Sequence, residues 1–177
     1  FSKLDFIQSG DFDIISTKTD FLGINYYSRG IIRSEEIEES ENLPAEIIAG
    51  EKTDFEWEVF PDGLRKLLVE VNQKYNPRSI YITENGCAYD YSRQDDGSIN
   101  DIKRIEYLES HVLACREAIE EGVPLDGYMH WSLMDNFEWA EGYCKKFGLV
   151  GIDFDSLKRT PKNSFWRYKE IIKNYSS

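Results

Sequence analysis

The chain has 177 residues and a formal net charge of -12, from 33 acidic against 21 basic side chains. Such a surface repels phosphate, which argues against nucleic acid and anionic membranes as partners. Hydrophobic residues at 41% and aromatics at 14% exclude a disordered segment and describe one globular domain or part of one.

Other exclusions follow from residue counts. No apolar stretch approaches the roughly 20 residues of a membrane helix. His111 and His130 are the two histidines, which argues against a histidine-based zinc site. Cys87, Cys115 and Cys144 are odd in number and lack metal-type spacing; they read as reduced thiols of a cytoplasmic protein. The start, Phe1-Ser2-Lys3-Leu4, is neither an initiator Met nor a signal peptide, so a processed or truncated start is open.

The elements alternate between strand and helix. Residues 20–27 (DFLGINYY) predict a buried strand opening into a loop. The loop 29–58 is long and carries the acidic run Glu35 to Glu41, read as a solvated face. Pro61 suits the first turn of a helix to Tyr75, whose Leu64, Leu67, Leu68 and Val71 share one face. Residues 79–83 (SIYIT) predict a second strand, followed by a polar loop over 86–100. A helix over 101–121 is capped by Asn100 or Asp101 and stopped by Gly122; its stripe is Ile105, Leu108, Val112, Cys115 and Ile119. Residues 126–133 (DGYMHWSL) predict a third strand, and the loop 134–147 is unusually aromatic and charged. A last helix over 163–175 is expected to bury Phe165, Tyr168 and Ile172. This order is that of an α/β fold with parallel strands and loops at their C-terminal ends. A complete (β/α)8 barrel needs at least about 200 residues, so a partial barrel or a small open α/β domain is expected.

Three segments can carry chemistry. Glu84 ends the apolar run Tyr81-Ile82-Thr83, before Asn85-Gly86. A carboxylate at that end of a barrel strand faces the mouth and can serve as nucleophile, base or metal ligand. Asn-Gly is equally a hairpin signal, so the segment alone admits an ordinary turn. In 131–139, Trp131 and Trp139 flank Asp135 and Glu138. Indoles cover the apolar faces of sugars while carboxylates accept from hydroxyls, although an aromatic core cluster with two solvated acids fits as well. In Asn25-Tyr26-Tyr27, a phenol could orient a nearby carboxylate and tune it, or simply pack in the core. All three segments stand at C-terminal strand ends, and no Gly-rich phosphate loop, G-x-S-x-G elbow or His/Cys pair competes with them.

Together the segments resemble glycoside hydrolase family 1, which contains the retaining β-glucosidases. The resemblance rests on residues 20–27, on Ile82-Thr83-Glu84-Asn85-Gly86, and on Trp131-Ser132-Leu133 with Asp135-Asn136-Phe137-Glu138-Trp139. Gly142-Tyr143, Phe147-Gly148-Leu149 and Arg159 with Pro161-Lys162 and Ser164 extend it, so that it runs from about Ile14 to the C-terminus. It implies that residues 1–177 are the C-terminal part of one (β/α)8 TIM barrel, supplying strands six to eight, with the N-terminal part absent. By the same resemblance Glu84 matches the catalytic nucleophile and Tyr27 the tyrosine that hydrogen-bonds it. Trp131 matches the indole under the sugar, Glu138 the acid gripping the 4- and 6-hydroxyls, and Trp139 the indole donating to the 3-hydroxyl. Asn25 shapes the same wall. Relatives acting on 6-phosphorylated sugars carry Ser at the Glu138 position and a Lys and Tyr for the phosphate. Lys145 is available here, yet Glu138 and Phe147 indicate an unphosphorylated sugar.

The resemblance has one gap. The family's acid/base Glu lies in an Asn-Glu-Pro motif that this chain lacks, and retaining hydrolysis needs two carboxyl groups about 5–5.5 Å apart. The expectation is a piece of a β-glucosidase for unphosphorylated β-D-glucosides, and for some β-galactosides, needing no cofactor or metal and inactive by itself. An exposed strand edge between Phe21 and Asn25 predicts either self-association or a partner carrying the missing barrel half. A sugar-binding module and a purely structural or regulatory barrel piece are the rival readings.

Overall fold

The computed structural model describes residues 5–31 and 50–175. The acidic run Glu35 to Glu41 lies outside the described residues. A short helix α1 (Asp11–Ile15) leads into β1 (Leu22–Asn25). Helix α2 (Pro61–Tyr75), β2 (Ile80–Asn85), α3 (Ile102–Glu120) and β3 (Leu125–His130) follow. A small ribbon of β4 (Val150–Ile152) and β5 (Arg159–Pro161) precedes α4 (Asn163–Tyr175).

The strands β1, β2 and β3 form one parallel sheet in chain order. Helices α2 and α3 cover one of its faces. Leu64 and Leu68 of α2, Ile80 and Ile82 of β2, and Cys115 and Ala118 of α3 make the core between them. The opposite face is open: Phe21 is 53% exposed and packs edge-on against Tyr81 at 5.3 Å. A parallel sheet is normally covered on both faces; among the described residues this one is covered on one face only. Both β1 and β3 are edges of the described sheet, whereas the sequence pointed only to β1.

Several boundaries differ from expectation. The second strand runs through Glu84 and Asn85, because Asn85 bonds sideways into the sheet rather than turning the chain. The third ends at His130, so Trp131 lies beyond it; the Trp131–Ser132 peptide is cis. Pro61 opens α2 as expected, and Asn76 closes it in the left-handed conformation. The buried face of α3 is Arg104, Tyr107, Leu108, His111, Ala114, Cys115 and Ala118, while Ile119 is exposed. In α4 the buried residues are Ser164 and Ile171; Ile172 is 47% exposed, and Phe165 and Tyr168 are half-buried. Helix α1 and the β4–β5 ribbon were not expected from sequence. Among the described residues no helix is long and apolar enough to cross a membrane.

Candidate active site

The site begins at the C-terminal ends of β1 and β2. Asn25 lies opposite Glu84 in the register, and the Tyr26 amide donates to the Glu84 carbonyl at 2.9 Å. The next residue, Tyr27, donates its hydroxyl to Glu84 Oε2 at 2.6 Å. Burial, the bond to Glu84 and the nearby charge of Glu138 all push the Tyr27 phenol well above its ordinary range, so it remains a donor at any ordinary pH. Asn25 is occupied otherwise: its Oδ1 accepts from the Thr83 hydroxyl at 2.6 Å.

Asn85 holds this pair from behind. Fully buried, it donates to the Tyr26 carbonyl at 2.7 Å and to the Tyr107 hydroxyl at 3.0 Å, and accepts from the Tyr128 hydroxyl at 2.6 Å. The Tyr107 hydroxyl in turn donates to the Tyr27 carbonyl at 3.1 Å. The backbone on either side of the Tyr27–Glu84 bond is thus tied into buried hydrogen bonds, whose loss would leave polar groups unsatisfied.

The aromatic loop enters from β3. The Trp131 amide donates to the Asn85 carbonyl at 2.9 Å, which sets the loop beside Glu84. Gly86 makes that approach possible, since any Cβ there would collide with the Trp131 carbonyl. Glu138 is half-buried, and its carboxyl is pushed up by burial, by the charge of Glu84 and by Glu141. Glu84, Tyr27 and Glu138 therefore share one electrostatic neighbourhood. Trp139 stands in a three-residue 3-10 turn (Trp139–Glu141) and is 83% exposed.

Asp135 is not part of the site surface. It is buried, and its carboxylate accepts from Lys162 Nζ at 3.0 Å, the Gly148 amide at 2.9 Å and the Tyr91 hydroxyl at 2.8 Å. Of the two readings open for Asp135, an acceptor for sugar hydroxyls or a solvated acid, neither holds: it is half of an internal ion pair. Lys145 donates to the Asp54 carbonyl at 2.6 Å and sits over the Phe55 ring.

Some residues of this region were missed in the sequence. Trp57 packs its ring 5.2 Å from Tyr27 and 6.1 Å from Phe147, and lines an open cleft of about 770 Å³ with Asn25 and Tyr27. Its signal is the alternation of Phe55 and Trp57 with acidic residues at the end of the loop 29–58. Arg104 is fully buried in α3 and donates to the carbonyls of Cys87, Tyr89 (2.9 Å), Lys146 (2.8 Å) and Phe147 (3.3 Å). It also pairs with Asp101 at 3.0 Å. One guanidinium thereby fastens the loops after β2 and β3 to the same helix. Its only signal was an Arg on the buried stripe with Tyr107, Leu108 and His111. Among the described residues no group of three or more His, Cys, Asp or Glu side chains is placed to hold a metal ion.

Comparison with known proteins bears on this arrangement. Residues 2–176 match the family model described as glycosyl hydrolase family 1. The chain is 44% identical over 168 residues to β-glucosidase A of Thermotoga maritima, covering 93% of this chain and 36% of that protein. It is 37% identical over 187 residues to a 6-phospho-β-galactosidase of Clostridium acetobutylicum, covering 93% of this chain and 39% of that protein. Among solved structures, the Thermotoga maritima β-glucosidase in complex with noeuromycin superposes with a TM-score of 0.83 at 43% identity, covering 93% of this chain and 37% of that one. The chain spans between a third and two fifths of the length of these relatives.

Proposed function

The chain belongs to glycosyl hydrolase family 1, and from that premise we propose that it is the nucleophile-bearing part of a retaining β-glucosidase acting on unphosphorylated β-D-glucosides. The observation that carries this reading is the 2.6 Å hydrogen bond from Tyr27 to Glu84 at the C-terminal end of a parallel sheet. Its strands would be six to eight of a TIM barrel, and the remaining strands of that barrel would close against the edges β1 and β3.

Glu84 attacks the anomeric carbon as a carboxylate, a C1–O bond to Glu84 forms and the bond to the aglycone oxygen breaks. A carboxylic acid from outside this chain gives that oxygen its proton, then takes one from the water that releases the sugar. Tyr27, bonded to Glu84 Oε2, keeps the carboxylate oriented for in-line attack. Trp131 covers an apolar face of the ring, Glu138 accepts from the 4- and 6-hydroxyls, and Trp139 donates to the 3-hydroxyl once the mouth is complete. Asn25, turned toward Thr83, shapes the wall beside them. A carboxylate at Glu138 supports a neutral sugar, since it would repel a 6-phosphate, and Lys145 is already engaged by a backbone carbonyl.

The test is intact-mass labelling with an activated 2-deoxy-2-fluoro-β-glucoside, followed by peptide mapping, on the chain assembled into a complete barrel. A mass gain on Glu84 is expected. Labelling of any other carboxylate would overturn the assignment, and the chain alone is expected to stay unlabelled.

A further inference from the structure

We propose that Lys162 and Tyr91 are positioning residues that act through Asp135 to hold the loop carrying Trp131 and Glu138, and so set how strictly a sugar is read at its 4- and 6-hydroxyls. The part about hydroxyls rests on the role proposed for Glu138; the part about the loop does not.

Asp135 lies four residues after Trp131 and three before Glu138. Both of its carboxylate oxygens are used, and the three donors come from three separate segments. Tyr91 belongs to the loop after β2, Gly148 to the segment between the aromatic loop and β4, and Lys162 to the junction of β5 and α4. Lys162 is 0% exposed, and its ammonium also lies over the Tyr91 ring at 4.2 Å. The main chain follows the same seam: the Asp135 amide donates to Val150, Leu149 to Ser132, Val150 to Leu133, and Lys162 to Leu149. Gly148 permits it, because a Cβ there would strike the Asp135 amide.

Beyond Asn136 the loop changes character. Glu138 donates its amide to the Gly142 carbonyl, Glu141 to Glu138, and Phe137 packs on Tyr143, so the tip is bonded to itself. Tyr143 against Phe154 is its ring contact with the ribbon side. The tip is thus a self-contained piece, held on its entry side through Asp135 and on its exit side by the bonds at Lys145, Lys146 and Phe147. Burial and the charge of Glu84 both disfavour a carboxylate at Glu138.

A buried ion pair is a poor device for stability, since an apolar pair of equal volume does as well. Its use lies in direction: one carboxylate with three donors from three segments has a single satisfied position. Burial and the neighbouring Arg104 lower the Lys162 ammonium to about 8 although Asp135 pulls the other way, which is the cost of keeping that cation inside.

The first test uses the chain as it is. In Lys162→Met, amide hydrogen exchange over residues 131–143 is expected to speed up at least about tenfold while Ile80–Asn85 stays protected. Unchanged exchange over 131–143 would overturn the proposal. In the assembled barrel, the kcat/KM preference for a glucoside over a xyloside, which lacks the 6-hydroxymethyl group, is expected to fall about tenfold in Lys162→Met. The neutral pair Asp135→Asn with Lys162→Met is expected to regain the urea midpoint without regaining that preference. A preference kept in Lys162→Met, or restored together with stability in the neutral pair, would make the clasp a stability element only and refute the positioning role. Tyr91→Phe removes one donor and keeps the packing. It is expected to move both readouts the same way, about threefold, and a Tyr91→Phe protein identical to wild type in both would also refute it. If Glu138→Ser leaves the preference unchanged while exchange responds to Lys162→Met, the role of Glu138 fails and the clasp stands.

Discussion

Replacing His111 by Phe is expected to remove a defined part of the chain's acid sensitivity. The His111 ring is fully buried in α3, stacked on Tyr107 at 3.9 Å and 20°. Its Nδ1 donates to the Tyr107 carbonyl at 2.8 Å, and Nε2 has no partner among the described residues. Burial lowers its pKa from 6.5 to about 4. His130, with both ring nitrogens buried and unpartnered among the described residues, is lowered to about 3 by burial and by the charge of Arg104. Both folded values lie below the unfolded one, so between them the unfolded chain binds the extra proton. Stability is therefore fully present above pH 6.5 and declines as pH falls toward the folded pKa. From pH 7 to pH 5 an unfolded imidazole takes up nearly one proton and the folded one almost none, a loss of about 2 kcal/mol for each histidine. The carboxylates lowered by ion pairs, such as Glu58 and Asp62, lose stability on acidification too, but equally in both proteins being compared.

His111→Phe keeps a ring against Tyr107 and removes the unpaired nitrogen, at the expense of one hydrogen bond. At pH 7 its stability should lie within about 1 kcal/mol of wild type. The assay is urea unfolding at pH 7 and pH 5, followed by tryptophan fluorescence. The difference between the two pH values should shrink by about 2 kcal/mol in the variant. An unchanged difference would show that His111 does not resist protonation, and would refute the reasoning from its burial.

Three further outcomes are expected. In an assembled barrel, Tyr27→Phe should lower kcat about 10- to 100-fold, the worth of one hydrogen bond to a charged group, with little change in unfolding; an unchanged kcat would remove Tyr27 from the site. Glu138→Ser should cost more turnover on a glucoside than on a xyloside, measured as the ratio of kcat/KM, and equal losses would reject its contact with the 6-hydroxyl. Arg104→Met should destabilise the chain by about 3 kcal/mol or more, read from its urea midpoint, because it leaves Asp101 without its Arg104 partner and removes the side-chain donor of the Cys87 and Tyr89 carbonyls.

Much of the framework was legible in the residues. Pro61 opens α2, and Gly122 follows α3, because these residues act on the backbone within a turn of where they stand. Short β-branched and aromatic runs marked the centres of β1 and β2. The motifs around Tyr27, Glu84 and Trp131 pointed to the family that the comparisons established. The limits of the strands were less legible. Asn85-Gly86 has turn chemistry, yet Asn85 completes β2 because Tyr26, Tyr107 and Tyr128 supply its hydrogen-bond partners from three other elements.

The sequence by itself determined the three parallel strands, the three longer helices, their order, and the family to which the strand-end motifs belong. Only the tertiary structure decided which charged groups lie inside. Asp135 between two tryptophans looks like a solvated acid until Lys162, Tyr91 and Gly148 arrive from distant segments. Arg104 looks like a surface residue until four carbonyls of two loops close around it. The physical reason is the same in both. Apolar burial follows a period that can be read along the chain, whereas a charge can be buried only where partners satisfy it, and those partners are set by the fold.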